Sequence, residues 1–168
     1  GGHLFEYKWV FPYDFGYLGS SLRAYAPLFE PQTRDTDSLV RLFAPIEDMM
    51  RTISESSDSQ FVAAVGEYLD LGLVMKYLAL ESFLVEWDGL VGNWATNNFY
   101  LYRFRDGTRS QLIPWDKDHT FTFLDVPIAW NLDTNVLVRR AMAVPELRQA
   151  YLDALMQVYL EYKRNIRQ

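Results

Sequence analysis

Apolar positions along the chain change period several times, and each change marks an element. His3-Leu4-Phe5-Glu6-Tyr7-Lys8-Trp9-Val10 reads as a strand directly behind Gly1-Gly2. Residues 11–34 are rich in Gly, Pro, Tyr and Phe without a clean period and read as ordered loop. Helical spacing begins behind a cap at Asp35, Thr36 or Asp37 and runs through Leu39, Leu42, Phe43, Ile46, Met49, Met50 and Ile53. Asp58 is placed to cap a short helix carrying Phe61, Val62, Val65, Tyr68 and Leu69. Asp70 opens a helix over roughly residues 71–87 that is apolar on nearly all sides, with Lys76, Glu81 and Glu86 as charged exceptions. Such a helix is a buried one, so it is expected at the centre of the fold.

Beyond Trp87-Asp88 and a loop, Asn97-Asn98-Phe99-Tyr100-Leu101-Tyr102-Arg103-Phe104 and Gln111-Leu112-Ile113-Pro114-Trp115 flank Asp106-Gly107, a tight-turn dipeptide, and predict a β-hairpin. A helix near 134–142 follows. A longer one starts at Pro145, whose ring suits a first turn, with a stripe of Leu147, Tyr151, Leu155, Val158, Tyr159 and Tyr162. The expected class is α+β, mainly α, as a single domain over residues 1–168. A strand alone at a terminus needs partners, so the abrupt start reads as a fragment lacking an N-terminal portion.

Composition narrows the function. With 49% apolar and 23% charged residues among 168, the chain has enough material for a core. A net charge of −6 leaves no basic stripe for a nucleic-acid partner and is compatible with a site that concentrates cations. The absence of cysteine excludes disulfides, thiolate metal sites and thiol nucleophiles. No uninterrupted apolar run has the length of a membrane span.

The hairpin carries a geometric expectation about chemistry. A two-residue turn at Asp106-Gly107 sets Asn98 opposite Trp115 and Asn97 opposite Asp116; a three-residue loop sets Asn98 opposite Asp116. Either register brings an amide oxygen and a carboxylate to the open end of the hairpin, where cross-strand neighbours lie about 5 Å apart. Asp88, expected at the C-terminus of the buried helix, meets an unfavourable dipole there and calls for compensation. Short loops tie it to the hairpin, so Asp88, Asn98 and Asp116 can converge, with Asp118 as a fourth oxygen donor. Oxygen ligands of this kind suit Mg²⁺ or Mn²⁺. The same residues also admit a plainer reading, in which Asp88 ends a helix, Asn98 bonds loop backbone and Asp116-Lys117-Asp118 is a solvated turn. Lys117 reads as a surface residue or local ion pair, His119 as packed by Phe121 and Phe123, and Arg139-Arg140 as an exposed helix face. The tryptophans read as core and loop packing.

A long apolar helix ending in Trp-Asp, then Asn98-Phe99-Tyr100-Leu101-Tyr102, then Ile113-Pro114-Trp115-Asp116-Lys117-Asp118-His119 resembles the CotH family. Gly2-His3-Leu4-Phe5-Glu6-Tyr7-Lys8-Trp9 and Phe29-Glu30-Pro31-Gln32-Thr33 add weaker similarity. The resemblance implies an atypical kinase of the spore coat or bacterial cell surface, with this chain similar to its C-terminal lobe and the N-terminal lobe largely absent. It implies transfer of phosphate from ATP to Ser/Thr hydroxyls of surface or coat proteins. Asp88 would orient or deprotonate the hydroxyl, while Asn98 and Asp116 would hold Mg²⁺ or Mn²⁺ against the nucleotide, with Asp118 open as a further ligand. Asn98 stands ten residues after Asp88, whereas ordinary protein kinases place the Asn after four intervening residues, which makes Asn93 a rival. No glycine-rich phosphate loop or strand lysine of the usual kind occurs in the sequence, so the fragment alone could be inactive. Competing expectations are a non-catalytic surface or coat scaffold and a hydrolase using Asp88 and Asp116 as paired carboxylates.

Overall fold

The terminal strand finds its partners inside the chain. In a computed structural model describing residues 1–105, 107–123 and 125–166, His3–Tyr7 (β1) pairs antiparallel with both Phe29–Pro31 (β2) and Phe99–Arg103 (β3). Ser110–Pro114 (β4) lies on the outer side of β3, giving the sheet order β2-β1-β3-β4. The expectation of a lone strand is therefore corrected. So is that of a strandless 11–34 segment, which contains β2 and a 3-10 turn at Leu22–Ala24. Periodicity misses β2 because its three residues are too few to display one.

Five α-helices accompany the sheet among the described residues: Leu39–Glu55 (α1), Phe61–Gly66 (α2), Leu71–Leu84 (α3), Val136–Ala143 (α4) and Pro145–Asn165 (α5). The class is α+β, mainly α, as expected. In α1 the apolar stripe from Leu42 to Ile53 is buried as the spacing requires, but Ser38 is the cap, its side chain accepting from the Arg41 amide. Asp58 does not cap α2; it pairs instead with Arg140, whose guanidinium also caps the Ile53 and Ser56 carbonyls at the end of α1. Arg139-Arg140 is thus not a simple exposed face. In α5, Tyr151 and Ala154 are buried, whereas Tyr159 and Tyr162 of the expected stripe are about half exposed.

Asp70 caps α3 as expected, its carboxylate accepting from the Leu73 amide. The helix packs chiefly on α5 and buries Leu71, Val74, Met75, Tyr77, Leu78 and Ala79. It ends at Leu84, not near residue 87, because Val85 turns into the left-handed region (φ 50°). A β-branched residue is disfavoured there, so no local propensity announces the stop. The hairpin register is the one a two-residue turn predicts, Phe99 facing Pro114 through Arg103 facing Ser110, with the Trp115 amide donating to Asn98 O at 3.1 Å. Asp106 itself lies outside the described residues. No helix among those residues is long and apolar enough to cross a membrane.

Candidate functional site

The left-handed turn at Val85 throws the chain into a tight, buried loop rather than leaving Asp88 on the helix end. Asp88 is only 7% exposed. The expected dipole penalty is accordingly replaced by a desolvation penalty, which demands partners more strongly. Two glycines make the loop possible. A Cβ at Gly89 would lie 2.5 Å from the Glu81 carboxylate, and one at Gly92 would lie 2.6 Å from the Asp88 Cα. Asn135, the cap of α4, clamps the loop from the far side, donating through Nδ2 to Leu90 O and to Thr96 Oγ1.

Asp88 Oδ2 accepts from Asn98 Nδ2 at 2.8 Å. The structure therefore brings these two predicted residues together, and it is Asn98 rather than the exposed Asn93 that touches the carboxylate. Asn98 stands at φ 54°, a left-handed residue that turns its side chain as the chain enters β3, and Asp116 mirrors it at φ 49° beyond β4. The 115–121 segment is stitched between both: Trp115 N donates to Asn98 O, Trp87 N to His119 O at 2.9 Å, and Phe121 N to Leu84 O at 2.8 Å. Asp116-Lys117-Asp118 thus lies between the Asn98 strand end and the Asp88 loop. The side chains of Asp116 and Asp118 are exposed, Asp118 by 69%, with His119 Nε2 3.8 Å from its Oδ1. His119 is half exposed, as are Phe121 and Phe123, so the expected packing of that histidine is corrected.

The central contact was not anticipated. Lys117 turns inward and its Nζ reaches Glu81 Oε1 at 2.6 Å and Asn98 O at 3.1 Å, 36 and 19 residues away. It is no local surface pair. Glu81 is 3% exposed, its other oxygen accepting from the Leu90 amide at 2.8 Å. Burial raises the Glu81 carboxyl above its ordinary value, and Lys117 pulls it back. Glu86, 3% exposed, is pushed to about 7, first by burial and then by the neighbouring Asp88 carboxylate. Glu86 Oε2 and Asp88 Oδ1 are both buried without a donor, an arrangement one proton on Glu86 relieves. A signal for this cluster was present in the sequence. A glutamate at the buried spacing of an apolar helix must find a cation, and the chain has few lysines to supply one.

The result is a buried group of three carboxyls, one ammonium and one amide at the open end of the hairpin. Among the described residues no three His, Cys, Asp or Glu side chains are grouped to enclose a metal ion. Asn98, Asp116 and Asp118 carry oxygen donors of the type that Mg²⁺ and Mn²⁺ accept. Such ions take one or two carboxylates and complete their shell with water and phosphate oxygens rather than a protein cage.

Against known proteins, residues 28–164 match the family described as CotH kinase protein. The chain is also 32% identical over 76 residues to the inner spore coat protein H of Bacillus subtilis (strain 168). That match covers 45% of this chain and 20% of the relative.

Proposed function

The chain belongs to the CotH family, and on that premise we propose that it supplies the hydroxyl-activating and metal-holding part of an ATP-dependent protein kinase of the spore or cell surface. The observation that carries the proposal is the Asn98–Asp88 hydrogen bond inside a buried acidic loop, beside an Asp-Lys-Asp segment fixed at both ends. The similarity to an inner spore coat protein supports the location.

In this reading Asp88 accepts the proton of a Ser/Thr hydroxyl as its oxygen bonds to the γ-phosphorus of ATP and the bond to the ADP oxygen breaks. Burial keeps bulk water from the Asp88 carboxylate, and the Asn98 amide fixes its orientation. Asn98 and Asp116 would hold Mg²⁺ or Mn²⁺, with Asp118 as an additional oxygen; the ion would neutralise charge on the nucleotide phosphates. Lys117, locked on Glu81 and Asn98 O, sets the direction in which Asp116 and Asp118 leave β4. Catalysis of this kind is mostly positioning, which few side chains can provide.

The test is transfer from labelled ATP, with Mg²⁺ or Mn²⁺, by the protein that carries this chain. Asp88→Asn is expected to lower transfer by at least ~100-fold. Asn98→Ala and Asp116→Ala are expected to lower it while raising the metal concentration needed for half-maximal rate. Full transfer by both Asp88→Asn and Asp116→Ala removes the assignment. A non-catalytic scaffold is the second reading, favoured by Trp94 and Trp115, whose rings are about half exposed on either side of Asn98 in sequence. Absence of nucleotide-dependent thermal stabilisation would select it.

A further inference from the structure

The turn end of the β3–β4 hairpin carries a concentration of charge opposite in sign to the open end. In a chain of net charge −6, four of its sixteen lysines and arginines, Arg34, Arg41, Arg103 and Arg105, line one cleft of about 230 Å³ beside His3. They come from three separate stretches of sequence, the approach to α1, its first turn and the end of β3, so only folding assembles them. Arg103 forms the floor. It is 4% exposed and held rigidly, NH1 donating to Leu42 O and NH2 to Arg41 O, each at 2.8 Å. Its position is set before any ligand arrives.

These partners are neutral carbonyls, which orient the guanidinium without cancelling its charge. Burial and then the charge of Arg41 lower the Arg103 pKa, while the Asp37 carboxylate raises it. Asp37 contributes one carboxylate, and it is already divided between His3 Nε2 at 2.9 Å and Arg41 Nε at 3.4 Å.

We propose that this cleft is an anion site for a phosphate monoester or inorganic phosphate. Several guanidinium groups lining one cleft match the several oxygens of a tetrahedral dianion, whereas a planar carboxylate satisfies a single fork. The site is separate from the catalytic end. The five residues of β3 place it about 17 Å from Asn98. It therefore stands independently of the kinase reading.

Calorimetric titration at low salt tests the site with inorganic phosphate, a phosphoserine peptide and the same peptide unphosphorylated. Saturable phosphate binding that weakens at least tenfold in Arg34→Gln/Arg41→Gln, and falls steeply with added salt, is the expected result. Arg41→Lys, which keeps the charge and removes the fork, is expected to lose several-fold, and Asp88→Asn to bind as the unmodified chain does. A phosphoserine peptide binding more tightly than inorganic phosphate identifies a protein-borne ester as the source; equal affinity identifies the free ion. No saturable phosphate binding, or affinity in the double variant within twofold of the unmodified chain, overturns the proposal.

Discussion

Each end of the β3–β4 hairpin buries charge, and the two ends stabilise it in opposite ways. At the turn end a single cation, Arg103, is satisfied by backbone carbonyls, one of which is available because of a proline. Pro45 sits inside α1 and has no N–H, so Arg41 O loses its intrahelical donor, and the Arg103 guanidinium replaces it. At the open end Lys117 pairs with Glu81, and one buried oxygen each of Glu86 and Asp88 is left without a donor. Satisfied burial makes a support. Under-satisfied burial holds chemical potential that a proton, a cation or a substrate group can relieve.

The sharpest way to break that contrast is Lys117→Met. It strands the Glu81 carboxylate in the core, and a loss of about 3–5 kcal/mol in denaturant unfolding is expected, with Glu81→Gln added to Lys117→Met recovering much of it. If Lys117→Met unfolds like the unmodified chain, the pair is not a structural requirement. At the other end, Arg103→Met removes two charge-assisted hydrogen bonds and should cost roughly 2–3 kcal/mol. Pro45→Ala restores a donor for Arg41 O, so the double variant should lose less than the sum of the single losses; strict additivity would contradict the replacement argument.

The smallest effect is the dependence on pH. Glu86 has a folded value of about 7 against an ordinary 4.5, so between those values the folded chain binds more protons than the unfolded one. Stability contributed by the protonated carboxyl is fully present below pH 4.5 and is lost as pH rises through 7, by roughly 1–3 kcal/mol. Melting followed from pH 4.5 to 8 should show this decline, and Glu86→Gln should flatten it. An unchanged slope in Glu86→Gln assigns the proton elsewhere.

Much of this frame was legible in the sequence because it is periodic or local. The start of α3 at Asp70, the α1 stripe and the hairpin itself follow from spacing and turn chemistry. Of the two registers the sequence left open the structure has the two-residue one, and either carried Asn98 toward the Asp-Lys-Asp segment. What escaped was non-local or irregular. The left-handed stop at Val85 runs against local preference, and β2 is too short to show a period. The Lys117–Glu81 and Arg140–α1 contacts join residues 36 and more than 80 apart, which no window can reveal. Asp116-Lys117-Asp118 misled for the same reason: its flanking acids do face solvent, and only the middle residue turns in.

The interior position of β1 bears on how the chain reaches its native state. His3 must meet Arg103, 100 residues onward, before the sheet can close, while β3 and β4 need only a short turn. Contacts of such sequence separation form slowly, after loop-closure entropy has been overcome. A chain emerging from the ribosome therefore holds β1 unpaired on the β3 side until β3 has been synthesised, an interval during which a chaperone or a neighbouring copy can occupy that edge.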